Sequence, residues 1–179
     1  MKQIAVAVFI FVFIGTGSVF GFQGSSEWIK YDSPAGRYSV LFPTPPTLST
    51  HEAATPTGKK VTHYLATAFE SKMGFIVGYW DYVPSNTFSL DMARDSMVQG
   101  IQGTLLSESA IRLGGSRGRE LKVSAKGPDG TELLVRARFC DVHKRVYVVQ
   151  FIIPKSADDS AAAEKAARYF DSFRVTKTP

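Results

Sequence analysis

Hydrophobic and polar residues alternate along most of this chain with the two-residue period of half-buried strands, broken twice by helical spacing. Glu27-Trp28-Ile29-Lys30-Tyr31 reads as a short opening strand and Ser33-Pro34-Ala35-Gly36 as a turn. Arg37-Tyr38-Ser39-Val40-Leu41-Phe42 alternates until Pro43, Pro45 and Pro46 stop it. Residues 47–59 are polar, contain Pro56 and Gly58, and predict a mobile loop. Val61 to Phe69 and Met73 to Tyr82 predict a hairpin around Glu70-Ser71-Lys72. After Pro84 the period changes: Leu90, Ala93, Met97 and Ile101 fall at helical spacing, with Ser89 or Thr87 as cap and Gly100 and Gly103 as the end. Strands return at Leu105 to Leu113 and Arg119 to Ala125.

The next hairpin fixes its own register. Leu121, Val123 and Ala125 share one face, as do Leu133, Val135 and Ala137, and opposed residues of an antiparallel pair must point the same way. Val123 opposite Val135 leaves residues 127–131, with Gly-Pro-Asp-Gly inside, as the loop. The same register sets Glu120 opposite Arg138 and Lys126 opposite Glu132, two matched charge pairs. Val146 to Ile153 is apolar on both faces, as in a central strand covered on both sides. Pro154 ends it, and Ser156-x-x-Asp159 reads as a capping-box start with Asp in place of Glu. The helix that follows buries Ala162, Ala166, Tyr169 or Phe170, and Phe173. The predicted class is α+β: an α/β/α sandwich with a mostly antiparallel sheet of about six to seven strands and two main helices.

The first residues follow a different logic. Lys2 precedes eleven uninterrupted apolar residues, Ile4 to Ile14, and Gly15 to Ser18 break the run before Val19-Phe20-Gly21. This is the charged, apolar, small-residue layout of a secretory signal, and the run is shorter than the roughly 20 residues that span a bilayer. The organisation predicted is a signal peptide over 1–21, a short linker over 22–27 and a single domain over 28–177. The destination is export, periplasmic or extracellular; an uncleaved N-terminus anchoring the chain to the membrane is the alternative. The formal charge of +5 falls to +4 without Lys2, since 21 basic residues become 20 against 16 acidic. That excess is too mild and too dispersed for a nucleic-acid binder.

The order of motifs is specific. Tyr-Ser-Val-Leu-Phe-Pro opens the domain, Leu-Gly-Gly-x-x-Gly-Arg-Glu-Leu-Lys-Val covers 113–123, and Arg136-x-Arg138 and Arg145-x-Tyr147 follow. Tyr169-Phe170-Asp171-Ser172-Phe173-Arg174-Val175 closes it. The pattern resembles a group of exported bacterial domains of unknown function, similar in layout to the PsbP-like fold of photosystem II extrinsic subunits and a nuclear-import Ran-binding factor. Those photosystem subunits support a manganese-calcium cluster, and no motif here carries that role over. The resemblance implies an accessory or binding domain.

Several chemical motifs dissolve on inspection. Gly114-Gly115-Ser116-Arg117-Gly118 matches the G-x-S-x-G nucleophile elbow, but a strand follows where the elbow needs a helix, which leaves a glycine-rich turn. Cys140 is the only cysteine, excludes an internal disulfide, and lies near His143 without a third orienting group. In the register above its side chain points away from the main apolar face. His51, His63 and His143 are scattered without metal-ligand spacing. No cofactor, metal site or catalytic residue is predicted. Trp80, opposite in facing to Tyr79, is the one aromatic that suggests a ligand pocket.

The candidate site is a basic face of Lys122, Arg136 and Arg138 with Arg117 nearby, able to hold a carboxylate or phosphate; the alternative is a solvated sheet face partly neutralised by Glu120 and Glu132. The expected function is a non-catalytic exported domain acting on a protein or envelope component. The alternative is a small-ligand carrier, or an enzyme whose site forms only in three dimensions around Trp80 and the 47–59 loop.

Overall fold

The computed structural model describes residues 27–54, 60–82, 89–113 and 115–176. The N-terminal apolar run, the polar residues 55–59 and Thr87 lie outside the described residues. Among the described residues the chain runs β1 (Ile29–Ser33), β2 (Tyr38–Phe42), β3 (Thr47–Ala54), β4 (Lys60–Glu70), β5 (Met73–Asp81), then α1 (Leu90–Gly100). It continues with β6 (Thr104–Leu113), β7 (Ser116–Lys126), β8 (Glu132–Val142), β9 (Arg145–Pro154), α2 (Ser160–Ser172) and β10 (Arg174–Val175).

Seven strands form one sheet in the order β3-β4-β5-β9-β8-β7-β6, with every neighbouring pair antiparallel. β9 is its middle strand, and nine of its ten residues are buried, which is why its sequence is apolar on both faces. The fold class is α+β, with one difference from the predicted sheet: β1 and β2 leave it and form a separate three-stranded sheet with β10. Pro43 to Pro46 stop β2 before it can reach the larger sheet, and its inward residues Tyr38, Val40 and Phe42 cap one face of that sheet instead.

That face carries the larger core: β2, the α2 residues Ala162, Ala166, Tyr169 and Phe170, and Phe173 pack on Phe75, Tyr147, Val149 and Phe151. Both Tyr169 and Phe170 are buried. The opposite face holds a smaller core in which Ala93 and Met97 of α1 pack on Leu121, Val123, Val135 and Phe139. Tyr79 and Trp80 divide between the two cores, as alternation requires.

Local chemistry sets the boundaries. Ser89 caps α1, its hydroxyl accepting from the Asp91 amide at 3.2 Å. α2 corrects the predicted cap: Asp159 accepts from the Ala162 amide at 2.8 Å, while Ser156 sits in a preceding turn of 3-10 helix. Residues 47–54 also correct the loop expectation. They pair along β4 as an edge strand, Thr47 opposite Thr67 through Ala54 opposite Lys60, because β4 is eleven residues long and offers them a full ladder. The β7–β8 register is as predicted, with Val123 opposite Val135, Glu120 opposite Arg138 and Lys126 opposite Glu132. Arg37, Ser71, Gln102, His143 and Lys144 take positive φ between 50° and 67° at tight connections.

Candidate functional site

Three of the four predicted basic residues meet. Lys122 lies opposite Arg136 and Glu120 opposite Arg138 on β7 and β8, so strand alternation puts all four side chains on the face that α2 packs against. Glu120 sits between the arginines: Arg138 Nε donates to its Oε2 at 2.6 Å and Arg136 Nη2 to its Oε1 at 3.2 Å. Helix α2 and the turn before it bring the remaining counter-charges. Arg138 Nη1 donates to Asp171 at 3.3 Å, and Lys122 Nζ to Asp158 at 3.1 Å. Both guanidinium groups lie over the Phe170 ring, 5.4 Å away for Arg136 and 4.7 Å for Arg138.

The basic face is therefore charge-paired, by Glu120 as the strand register predicts and also by Asp158 and Asp171. Burial alone would raise the Glu120 pKa, but hydrogen bonding from Arg138, then its charge and those of Arg136, holds it below the usual glutamate value. Glu120 is an ionised anchor. Between this row and the start of α2 lies a cleft of about 320 Å³, lined by Ser107, Ser109, Glu120, Lys122, Arg136, Asp158 and Ala163. Its mouth is the Lys122–Asp158 bridge, with both side chains 38% exposed.

Arg117 is not brought there. It lies one residue out of phase, exposed on the opposite face and directly across from Arg112 of β6. The parity of the β7 residues could have told this. Asp158 and Asp171 were missed because only the docking of α2 brings them to the sheet.

The other motifs have structural fates. Ser116 opens β7 paired with Leu113, and Gly115 at φ 84° makes the turn, so the elbow match is a β-hairpin. Cys140 points away from the face shared by Leu121, Val123, Val135 and Ala137, as the register predicts, and is fully buried in the larger core on the other side of the sheet. Phe139 and Cys140 face different cores, and the one beneath α2 and β2 is the larger. Burial and then the charge of Asp141 push its thiol up to about 12, the reverse of an activated nucleophile. His51 and His63, scattered in sequence, are directly opposed on β3 and β4, and His63 stacks on Trp80 with ring centroids 4.6 Å apart and planes 4° apart. Trp80 is packed core. Among the described residues no group of three or more His, Cys, Asp or Glu is placed to hold a metal ion, and no helix is long and apolar enough to cross a membrane.

No protein-family model and no curated protein matches the chain. Solved structures do. The solution structure of a cyanobacterial PsbP (CyanoP) from Synechocystis sp. PCC 6803 is 14% identical, covers 90% of this chain and 99% of its own, and superposes with a TM-score of 0.57. A Pseudomonas aeruginosa protein of unknown function is 12% identical over 85% of this chain and 96% of its own, with a TM-score of 0.41. A Bacteroides thetaiotaomicron protein is 15% identical over 83% of this chain and 48% of its own, with a TM-score of 0.47. The likeness to the first is one of fold: this chain has the PsbP-like layout.

Proposed function

We propose that the chain is an exported, non-catalytic accessory domain that binds a protein or envelope component through the α2 cleft. The observation that supports this reading is the state of the cleft's charges. Each is met by an opposite charge, Glu120 is held ionised between two arginines, and the outermost pair, Lys122–Asp158, is half in water. An exposed pair contributes little to stability, so exchanging Asp158 for a partner's carboxylate at Lys122 costs little. Arg136, bound to Glu120 through one long hydrogen bond, keeps further donors for the same acidic group. Arg138, bonded to Glu120 and to Asp171, holds the Glu120 carboxylate in place beside them.

The test uses the native chain and a Lys122→Glu/Arg136→Glu variant side by side as bait for envelope extract. The captured partner is expected to bind the variant at least about tenfold more weakly and to loosen with added salt. A partner held equally by both would remove the cleft from this reading, provided thermal unfolding shows both folded. Export has its own readout: the chain produced with its own N-terminal segment in a bacterium is expected to yield a mature mass beginning near residue 22. Retention of Met1 on a membrane-bound product would replace export by anchoring.

A further inference from the structure

Sheet edge β6 carries one acidic and one basic residue, Glu108 and Arg112, that do not pair with each other within the chain. β6 ends the seven-stranded sheet, and nearly all its residues are exposed or half-exposed. Edges are normally blunted by proline, lysine or bulges. Here the bulge is confined to the start, where the register slips between Leu105 and Ser107 and leaves Leu106 51% exposed. From Ser107 to Leu113 the strand is regular and holds neither lysine nor proline.

Its charges are split. Glu108 joins a cluster with α1 in which Arg94 and Arg119 meet Asp91, Asp95 and Glu108, two positive charges against three negative. Four residues on, Arg112 faces Arg117 across the β6–β7 ladder, and among the described residues neither makes a salt bridge. Like charges directly opposed are unfavourable.

We propose that β6 pairs antiparallel with β6 of a second copy, about a two-fold axis at Ala110. Glu108 and Arg112 are the only charged residues of the strand, so a single register sets each Glu108 opposite Arg112 of the other copy. That register places the acid-rich cluster against the uncompensated arginines twice, and it keeps both residues on one face as pleat parity demands. The other edge, β3, has Glu52 as its one formal charge and no self-pairing register that makes an ion pair. The joined sheet carries both α2 clefts on the same side, because Ser107 and Ser109 line each cleft beside the axis.

The full chain is followed by sedimentation from about 1 to about 100 µM, the range of modest interfaces. Ala110→Cys is compared with Ser49→Cys on β3 for thiol cross-linking, Cys140 being sealed in the core. Opposed Cβ atoms on paired strands lie about 5 Å apart, within disulfide reach after small adjustment. Expected are a concentration-dependent dimer, cross-linking of Ala110→Cys at least about tenfold faster than Ser49→Cys, and loss of both behaviours on adding Arg112→Glu. A chain that stays monomeric throughout, with the two cysteines linking at equal rates, overturns the pairing; so does a dimer indifferent to Arg112→Glu.

Discussion

His63 shows how much one side chain takes from its neighbours. Burial against Trp80, then the nearby His51, lowers its pKa below the ordinary 6.5. The unfolded chain therefore takes up this proton first as pH falls. Its contribution to stability is complete above the unfolded value and is lost as pH drops from about neutrality through the folded value. Urea midpoints measured from pH 7.5 down to 5.5 are expected to fall, and to fall less steeply in His63→Gln. Equal slopes in the two proteins would mean that the imidazole takes up its proton equally in the folded and unfolded chain. The His51–His63 opposition was invisible in sequence because it depends on β3 being a strand, and residues 47–59 read as loop. Polar threonine and serine satisfied the loop rule while the long ladder of β4 recruited them.

At the scale of elements, the join between the two sheets rests on Arg145. Its Nε and Nη2 bind both oxygens of Asp81 at 2.6 Å, its Nη1 binds the Ala35 carbonyl at 2.6 Å, and the group lies 4.6 Å from the Tyr79 ring centroid. Tyr147 adds a bond to the Gly36 carbonyl at 2.9 Å. Arg145 and Tyr147 thus hold the β1–β2 turn onto β5 and β9. Arg145→Met keeps the stem but strands the Ala35 carbonyl, so a loss of about 1–3 kcal/mol in urea unfolding is expected, discounted on the Asp81 side because that carboxylate is well hydrated. Arg145→Lys should recover only part of it, since a point charge cannot reproduce the fork. Hairpin registers, by contrast, were readable: apolar parity on β7 and β8 left one alignment, and charge agreed with it. Arg145-x-Tyr147 was readable as a motif but not as a strap, because Ala35 and Gly36, the carbonyls it holds, stand over a hundred residues away.

Across the whole molecule, the last residues close the first sheet. Arg174 pairs with Ser39, the Thr176 amide reaches the Arg37 carbonyl at 2.9 Å, and Phe173 stacks on Tyr38 with ring centroids 5.6 Å apart. A chain ended after Ser172 loses a fully packed aromatic and is expected to be destabilised by about 3–5 kcal/mol, enough to leave a domain of ordinary stability largely unfolded. Near-native urea resistance in that truncation would mean the three-stranded sheet is an appendage. The candidate site was half legible on this scale. The sheet supplied Lys122, Arg136 and Arg138 and their neighbour Glu120, all legible from strand parity, while the docking of α2 and the turn before it added Asp171 and Asp158.

The turns carry a different implication. Lys144 and His143 hold positive φ side by side in the hairpin between β8 and β9, where Asn-Gly would rest unstrained, and Arg37, Ser71 and Gln102 do the same elsewhere. Each such residue forgoes up to about 1 kcal/mol that glycine or asparagine would recover. The chain thus keeps a reserve outside its core and its cleft, reachable by single codon changes at exposed corners. A lineage that needed to tolerate a disruptive change at the cleft could draw on these corners first, leaving the core residues untouched.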